Sequence, residues 1–164
     1  MSTHLKTSFP PITSPEIEIL VLGSIPGDRS IAENEYYGHP RNRFWRMLAV
    51  MRECELPENY NDKKQLLLQN RIGLWDVAQQ AERKGSLDSA IKNAEPNDIE
   101  IFIARHPSLN TIGFNGLKAE ALYNRFFERK AEINYYSLPS TSPANAGCSL
   151  STLCERWRVL FCGR

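Results

Sequence analysis

Apolar and polar positions along the chain fall into blocks that switch between strand and helix periodicity. Ile19, Leu20, Val21 and Leu22 form a continuous apolar run, the pattern of a strand buried on both faces, and Gly23, Pro26 and Gly27 stop it abruptly. From Phe44 to Arg52 apolar residues recur at helical spacing, with Phe44, Leu48 and Met51 on one face, and Lys63 to Asn70 reads as a second short helix. Ile72 to Val77 is the next strand. Asn97 or Asp98 is placed to cap a helix over Ile99 to Arg105, and Leu109 to Phe114 makes a third strand. A helix over Leu117 to Glu128 follows, with Leu117, Leu122 and Phe126 as core contacts. Ile133 to Leu138 is a fourth strand, Pro139 to Gly147 a loop, and Leu150 to Phe161 a closing helix.

This alternation predicts an α/β fold: a three-layer α/β/α sandwich around a four-stranded, mainly parallel sheet. Polar turns after Gly23, Phe114 and Leu138 then fall at the carboxyl ends of parallel strands, on one edge of the sheet, where α/β proteins bind substrates. They can converge on one pocket, and Trp75 and Asp76, at the end of the remaining strand, are placed beside it.

The chain of 164 residues has room for one domain with a substantial core. The expected division is a flexible segment over 1–15 and a single domain over 16–164. No apolar stretch approaches the length of a membrane span, and Met1 to Pro15 lacks the charged start and apolar centre of a secretory signal. A cytoplasmic protein without membrane contact is expected. The net charge of +1 neither favours nor excludes a nucleic-acid partner, because one basic face suffices. Arg29, Arg41, Arg43 and Arg46 do cluster near the first turn, whereas Lys118, Arg125, Arg129 and Lys130 read as a solvated helix face. Four cysteines, Cys54, Cys148, Cys154 and Cys162, would suffice for zinc or an iron–sulfur cluster, but no pair shows the CxxC spacing. Free, mostly buried thiols are the expectation, and no metal site.

The densest chemistry lies in ILVLGSIPGDRSIAENEYYGHPRNRFW, Ile19 to Trp45, where a buried strand meets a glycine–proline turn and an aromatic–basic segment. Glycines let backbone approach a ligand closely, and rings, cations and an amide together suit bases and phosphates.

GSIPG followed by YYGHPRNRFW, with LPSTSPANAG near the far end, resembles the uracil-DNA glycosylase superfamily, and within it the hypoxanthine-DNA glycosylase branch. The similarity spans about Ile17 to Leu160. It implies a glycosylase of base excision repair whose partner is DNA containing a deaminated base, acting as a monomer in the cytoplasm or on the nucleoid, with no cofactor. Such an enzyme extrudes a nucleotide, holds its base and breaks the N-glycosidic bond through an oxocarbenium-like transition state. Tyr36, Tyr37, Phe44 and Trp75 are candidates to stack on the base, although Phe44 and Trp45 equally fit the core. Asn42 and Asn115 carry carboxamides that offer donor and acceptor to a base edge, and Asn115-Gly116 also reads as an ordinary turn. Ser24, Gly27, Ser140, Thr141, Ser142 and Asn145 are candidates for phosphate contacts, with His39 and Arg41 beside them. His39 could protonate a purine, bind phosphate, or simply hydrogen-bond its own loop.

The departures from the relatives also carry information. The mismatch-specific uracil enzymes have GINPG in the first turn, and its asparagine holds the attacking water; the matching residue here is Ile25, with no polar atom. The resemblance then makes Asn42 the catalytic replacement. The uracil enzymes' second motif, HPSPLS or NPSGLS, brings a leucine wedge and in some a catalytic histidine. Here Leu138 stands at the histidine position, and only Ala144, Asn145 and Ala146 are available as wedge. No lysine lies in either motif, so a Schiff-base lyase step is not expected. The alternatives are a uracil or mismatch glycosylase, a catalytically silent DNA-binding module, and a nucleotide hydrolase. The last lacks a GxxxxGK[ST] lysine.

Overall fold

The run Ile19–Gly23 forms the central strand β2 of the computed structural model, which describes residues 4–162. In chain order the elements are β1 (Leu5–Thr7), β2, α1 (Asp28–Glu33), α2 (Phe44–Met51), α3 (Tyr60–Gln69), β3 (Ile72–Asp76) and β4 (Ala78–Glu82). A single 3-10 turn (Asp88–Ala90) follows, then β5 (Lys92–Pro96), α4 (Ile99–Ala104), β6 (Thr111–Asn115), α5 (Leu117–Phe126), β7 (Asn134–Leu138) and α6 (Leu150–Cys162).

The main sheet has the order β3-β2-β6-β7, and every pair in it is parallel. All five residues of β2 are buried, as a strand covered on both faces requires. Successive side chains point to opposite faces, so Ile19 and Val21 pack with Phe44, Met47, Leu48, Leu67, Trp157 and Leu160 from α2, α3 and α6. Leu20 and Leu22 pack on the other side with Phe102, Ala119, Leu122 and Tyr123 from α4 and α5. The sandwich is therefore α/β/α as expected. From β2 the chain first moves to β3 on one side and later crosses to β6 on the other, so the order reverses at β2. Ligand crevices in open α/β sheets form at the carboxyl ends of strands beside such a reversal.

Several local features depart from the sequence reading or decide between its alternatives. A second, antiparallel sheet, β1-β4-β5, stands beside the first. The segment expected to be flexible contributes β1 to it, and Ile12 exchanges two backbone hydrogen bonds of 2.9 Å with Leu74. Of the two possible caps for α4, Asp98 accepts from the Ile101 N–H at 3.3 Å. Asn97 instead donates to the Asp76 carbonyl at 2.8 Å, tying α4 to the end of β3. Leu117, assigned to the core, is 78% exposed because it opens α5 at the sheet edge. Of the cysteines, Cys154 is buried and Cys148 half-buried as free thiols, but Cys54 is exposed, and the Cys162 side chain lies outside what is described. No helix among the described residues is long and apolar enough to cross a membrane.

Candidate active site

The carboxyl ends of β2, β3 and β6, the turn after β7 and the loop after α1 enclose a cavity of about 260 Å³. Gly23 ends β2 opposite Asp76, its register partner at the end of β3. A Cβ on residue 23 would lie 2.6 Å from the Asp76 Oδ1, so only glycine lets the carboxyl lie against the strand. Asp76 is buried, and its Oδ2 has no hydrogen-bond partner among the described residues. Burial pushes its pKa up to about 7, while the Arg83 guanidinium pulls in the opposite direction.

Tyr37 reaches the same point from the loop after α1. Its backbone is left-handed, with φ +55°, which an aromatic residue adopts only when its surroundings hold it there. They do so on several sides. The indole N–H of Trp45 donates to the preceding carbonyl, Tyr36 O, at 2.9 Å. The Tyr37 ring packs on Phe44 with centroids 4.6 Å apart. Burial and the Asp76 charge both raise the Tyr37 hydroxyl pKa, whereas its hydrogen bond with Asn115 lowers it; the phenol remains neutral.

Asn42, Asn115 and Thr141 form a connected network, with Asn115 and Thr141 buried and Asn42 half-buried. The Thr141 hydroxyl donates to Asn42 Oδ1 at 3.0 Å and accepts from Asn115 Nδ2 at 3.0 Å. Its backbone N–H donates to Asn115 Oδ1 at 2.9 Å. The Phe44 N–H gives Asn42 Oδ1 a second bond of 3.0 Å. With both lone pairs of its oxygen committed, Asn42 lines the cavity with its Nδ2 donors left for a ligand.

Arg43 connects the two sequence motifs. Its guanidinium donates to the carbonyls of Ser142 at 3.1 Å, Asn145 at 3.0 Å and Cys148. Its backbone N–H donates to Thr141 O at 3.1 Å. A cation read as a candidate ligand for DNA is thus spent on shaping the second loop. That loop is otherwise built from local turns: Ser140 Oγ accepts from Ser142 N, and Ser142 Oγ accepts from Ala144 N, each at 3.1 Å.

On the opposite wall, the segment 83–88 folds over the GSIPG turn. Buried Arg83 donates to the carbonyls of Ile25 at 3.0 Å and Pro26 at 2.6 Å and pairs with Asp88 at 3.6 Å. Burial lowers its pKa, and Asp88, Asp76 and Asp28 oppose that. Ser24 Oγ donates to Asp88 at 3.1 Å, and Ser86 Oγ accepts from Asp28 N at 3.0 Å. Ile25 is 5% exposed and its side chain belongs to the core on the α4/α5 side.

Of the residues singled out in the sequence, Ser24, Gly27, Tyr36, Tyr37, His39, Asn42, Asp76, Asn115, Ser140, Thr141 and Ser142 meet on this cavity. Phe44, Trp75, Arg41 and Asn145 do not line it. Phe44 is fully buried behind Tyr37, because the helical stripe of α2 turns it into the core. Trp75 alternates with Asp76 on β3, so its ring faces α4, 5.2 Å from Phe102, and its N–H donates to Phe9 O. Arg41 is exposed, its N–H bonded to His39 Nδ1 at 3.0 Å. Asn145 donates to Ser140 O at 3.0 Å and lines a neighbouring open groove with Lys118 and Arg156. Phe9, Arg83, Ser86 and Asp88 line the cavity without having been singled out. The polar stretch Arg83-Lys-Gly-Ser-Leu-Asp88 carries no periodic signal, and only the fold reveals its proximity. Among the described residues no group of histidine, cysteine or acidic side chains is arranged to hold a metal ion.

The model of the uracil DNA glycosylase superfamily matches residues 10–160. A hypoxanthine DNA glycosylase of Methanosarcina acetivorans is 39% identical over 162 residues, covering 96% of this chain and 98% of its own. One from Methanosarcina barkeri is 44% identical over 115 residues, covering 70% and 73%. A solution NMR structure from Methanosarcina acetivorans, provisionally described as a uracil DNA glycosylase, superposes with a TM-score of 0.78 at 37% identity, covering 95% of this chain and 98% of that one.

Proposed function

Because the chain belongs to the uracil DNA glycosylase superfamily, we propose that it is a DNA glycosylase of base excision repair that hydrolyses the N-glycosidic bond of deaminated bases, with hypoxanthine preferred. The observation that carries this reading is the Asn42–Thr141–Asn115 network on the wall of the cavity at the strand ends.

In this reading the target nucleotide is flipped out of DNA and its base enters between the β2 turn and the Ser140–Ala144 loop. Tyr37 supplies the ring against the base, and the Phe44 ring behind it keeps that surface rigid. The glycosidic bond breaks towards an oxocarbenium-like sugar, so the incoming water needs positioning more than deprotonation. Asn42 Nδ2 donates to that water, because Thr141 and Phe44 already occupy its oxygen. Ile25 offers no polar atom for the task. The departing base takes up negative charge, which donors on the cavity wall stabilise. Ser140, Ser142 and Asn145 grip phosphates beside the lesion, with His39 and Arg41 at the mouth. No lysine lies in either motif, so water serves as the nucleophile and the enzyme is monofunctional, and the protein acts as a monomer on DNA containing a deaminated base.

The test is incubation with duplexes carrying deoxyinosine, deoxyxanthosine or deoxyuridine, followed by alkaline cleavage at abasic sites. Deoxyinosine should be cleaved fastest. Asn42→Ala should lower single-turnover cleavage more than about tenfold while duplex affinity changes less than about threefold. No abasic product on any duplex would refute the glycosylase reading, and faster cleavage of deoxyuridine would assign the uracil preference instead.

A further inference from the structure

A buried carboxyl oxygen without a partner is costly in a folded protein unless something outside the chain satisfies it. Asp76 is such a group: its Oδ2 is buried without a partner among the described residues, and the residue, 4% exposed, lines the cavity. Gly23 leaves room for it, and Arg83, the cation that acts on its charge, spends its Nη2 on two carbonyls rather than on this carboxyl. Among the described residues, then, no hydrogen bond to Oδ2 accounts for this position.

Resting on the glycosylase reading, we propose that Asp76 reads the flipped base, its carboxyl pairing with the lactam edge of hypoxanthine: one oxygen accepts from N1–H and the other donates its proton to O6. A protonated carboxyl and a lactam are complementary, donor to acceptor and acceptor to donor, whereas a carboxylate would meet O6 with a like charge. The χ2 torsion of an aspartate is soft and roughly two-fold, so either oxygen can be presented. Burial favours the protonated form near neutrality, against the pull of Arg83. The other charged or titratable groups around the carboxyl are Tyr36 and Tyr37 from the loop after α1, and Asp88 from the 3-10 turn, which pairs with Arg83. Arg29 and His39 line the same cavity. The proton donated to O6 also sits where the leaving base gathers negative charge, so the contact strengthens in the transition state.

The experiment compares wild type, Asp76→Asn and Asp76→Ala in single-turnover cleavage of a deoxyinosine duplex between pH 5 and 9, with His39→Gln alongside to separate that ring's contribution. Wild-type cleavage should fall as pH rises through about 7. Asp76→Ala should lose more than about tenfold at pH 6. An asparagine presents the same donor and acceptor at every pH, so Asp76→Asn should rescue most of that loss and abolish the alkaline fall. Wild type should also reject deoxyinosine methylated at N1, which lacks the donor, by more than about tenfold, and Asp76→Ala should lose that discrimination. An inactive but folded Asp76→Asn, wild-type cleavage that rises with pH, or equal cleavage of the N1-methylated duplex would overturn the assignment. Calorimetric binding of free hypoxanthine keeps the two readings distinct. Affinity that weakens above about pH 7 in wild type but not in Asp76→Asn supports Asp76 even if no duplex is cleaved, and affinity indifferent to both pH and variant removes it even if duplexes are cleaved.

Discussion

Replacing Thr141 with valine tests whether the network positions Asn42 or merely fills space. The two side chains have nearly the same shape, and the backbone bonds of residue 141 to Asn115 and Arg43 survive the change. What disappears is one hydroxyl with two bonds of 3.0 Å, to Asn42 and from Asn115. Thr141 is fully buried and Asn115 nearly so, so one Asn115 amino hydrogen loses its acceptor in a place water reaches poorly, although Asn115 keeps its bond with Tyr37. That should cost about 1–3 kcal/mol of stability. At about 2–4 °C per kcal/mol for a domain of this size, thermal unfolding should occur measurably lower. The effect on chemistry is separate. Asn42 keeps the Phe44 N–H but loses the bond that fixes its amide plane, and about 1.4–2.8 kcal/mol of lost positioning corresponds to a tenfold to hundredfold slower single-turnover cleavage. Thr141→Ser keeps the hydroxyl and should recover most of the rate. The decisive comparison is cleavage of a deoxyinosine duplex well below the unfolding temperature of each variant. If folded Thr141→Val cleaves within about threefold of wild type, the network does not position Asn42 and the argument fails.

Two further outcomes follow from the cavity. The Asp76 pKa is raised above its ordinary value, so between about pH 4 and 7 the folded chain binds more protons than the unfolded one, and stability should decline as pH rises through that window. The loss, on the order of a few kcal/mol, should be absent from thermal melts of Asp76→Asn. Arg43→Met removes the donors to the Ser142, Asn145 and Cys148 carbonyls. Hydrogen exchange over residues 142–148 should accelerate and duplex affinity fall, and unchanged exchange there would show that the loop stands without that clamp.

The main sheet was legible because β2, β3 and β6 are apolar runs bounded by turn residues and β7 carries the strand-favouring pair Tyr135-Tyr136 between Ile133 and Leu138, and the helices of the sandwich because their apolar stripes repeat at helical spacing. The second sheet was not. Ala78–Glu82 and Lys92–Pro96 are polar, poor in β-branched residues and without clean alternation, so pairing to neighbours rather than propensity makes them strands. Within the site, the convergence of Asn42, Asn115 and the Ser140–Ser142 turn followed from the placement of strand ends. Which neighbour faces the cavity did not follow as easily. Trp75 drew attention as a ring, although period-two alternation puts one of Trp75 and Asp76 on each side of β3, and only the pairing of Asp76 with Gly23 decides between them. Arg43 and Arg83 were invisible as structural cations because their acceptors are backbone carbonyls, which every residue has and no sequence distinguishes.

The Arg43 clamp also bears on when the protein becomes competent during its synthesis. Its three acceptors lie 99, 102 and 105 positions further along the chain, so the loop cannot close until residue 148 has left the ribosome. Contacts of such sequence separation form late, after the intervening strands have docked. A nascent or prematurely terminated chain can therefore hold the whole GSIPG and HPRNRFW region and still present an open half-cleft, and in the glycosylase reading capture of an extruded nucleotide waits for the second loop.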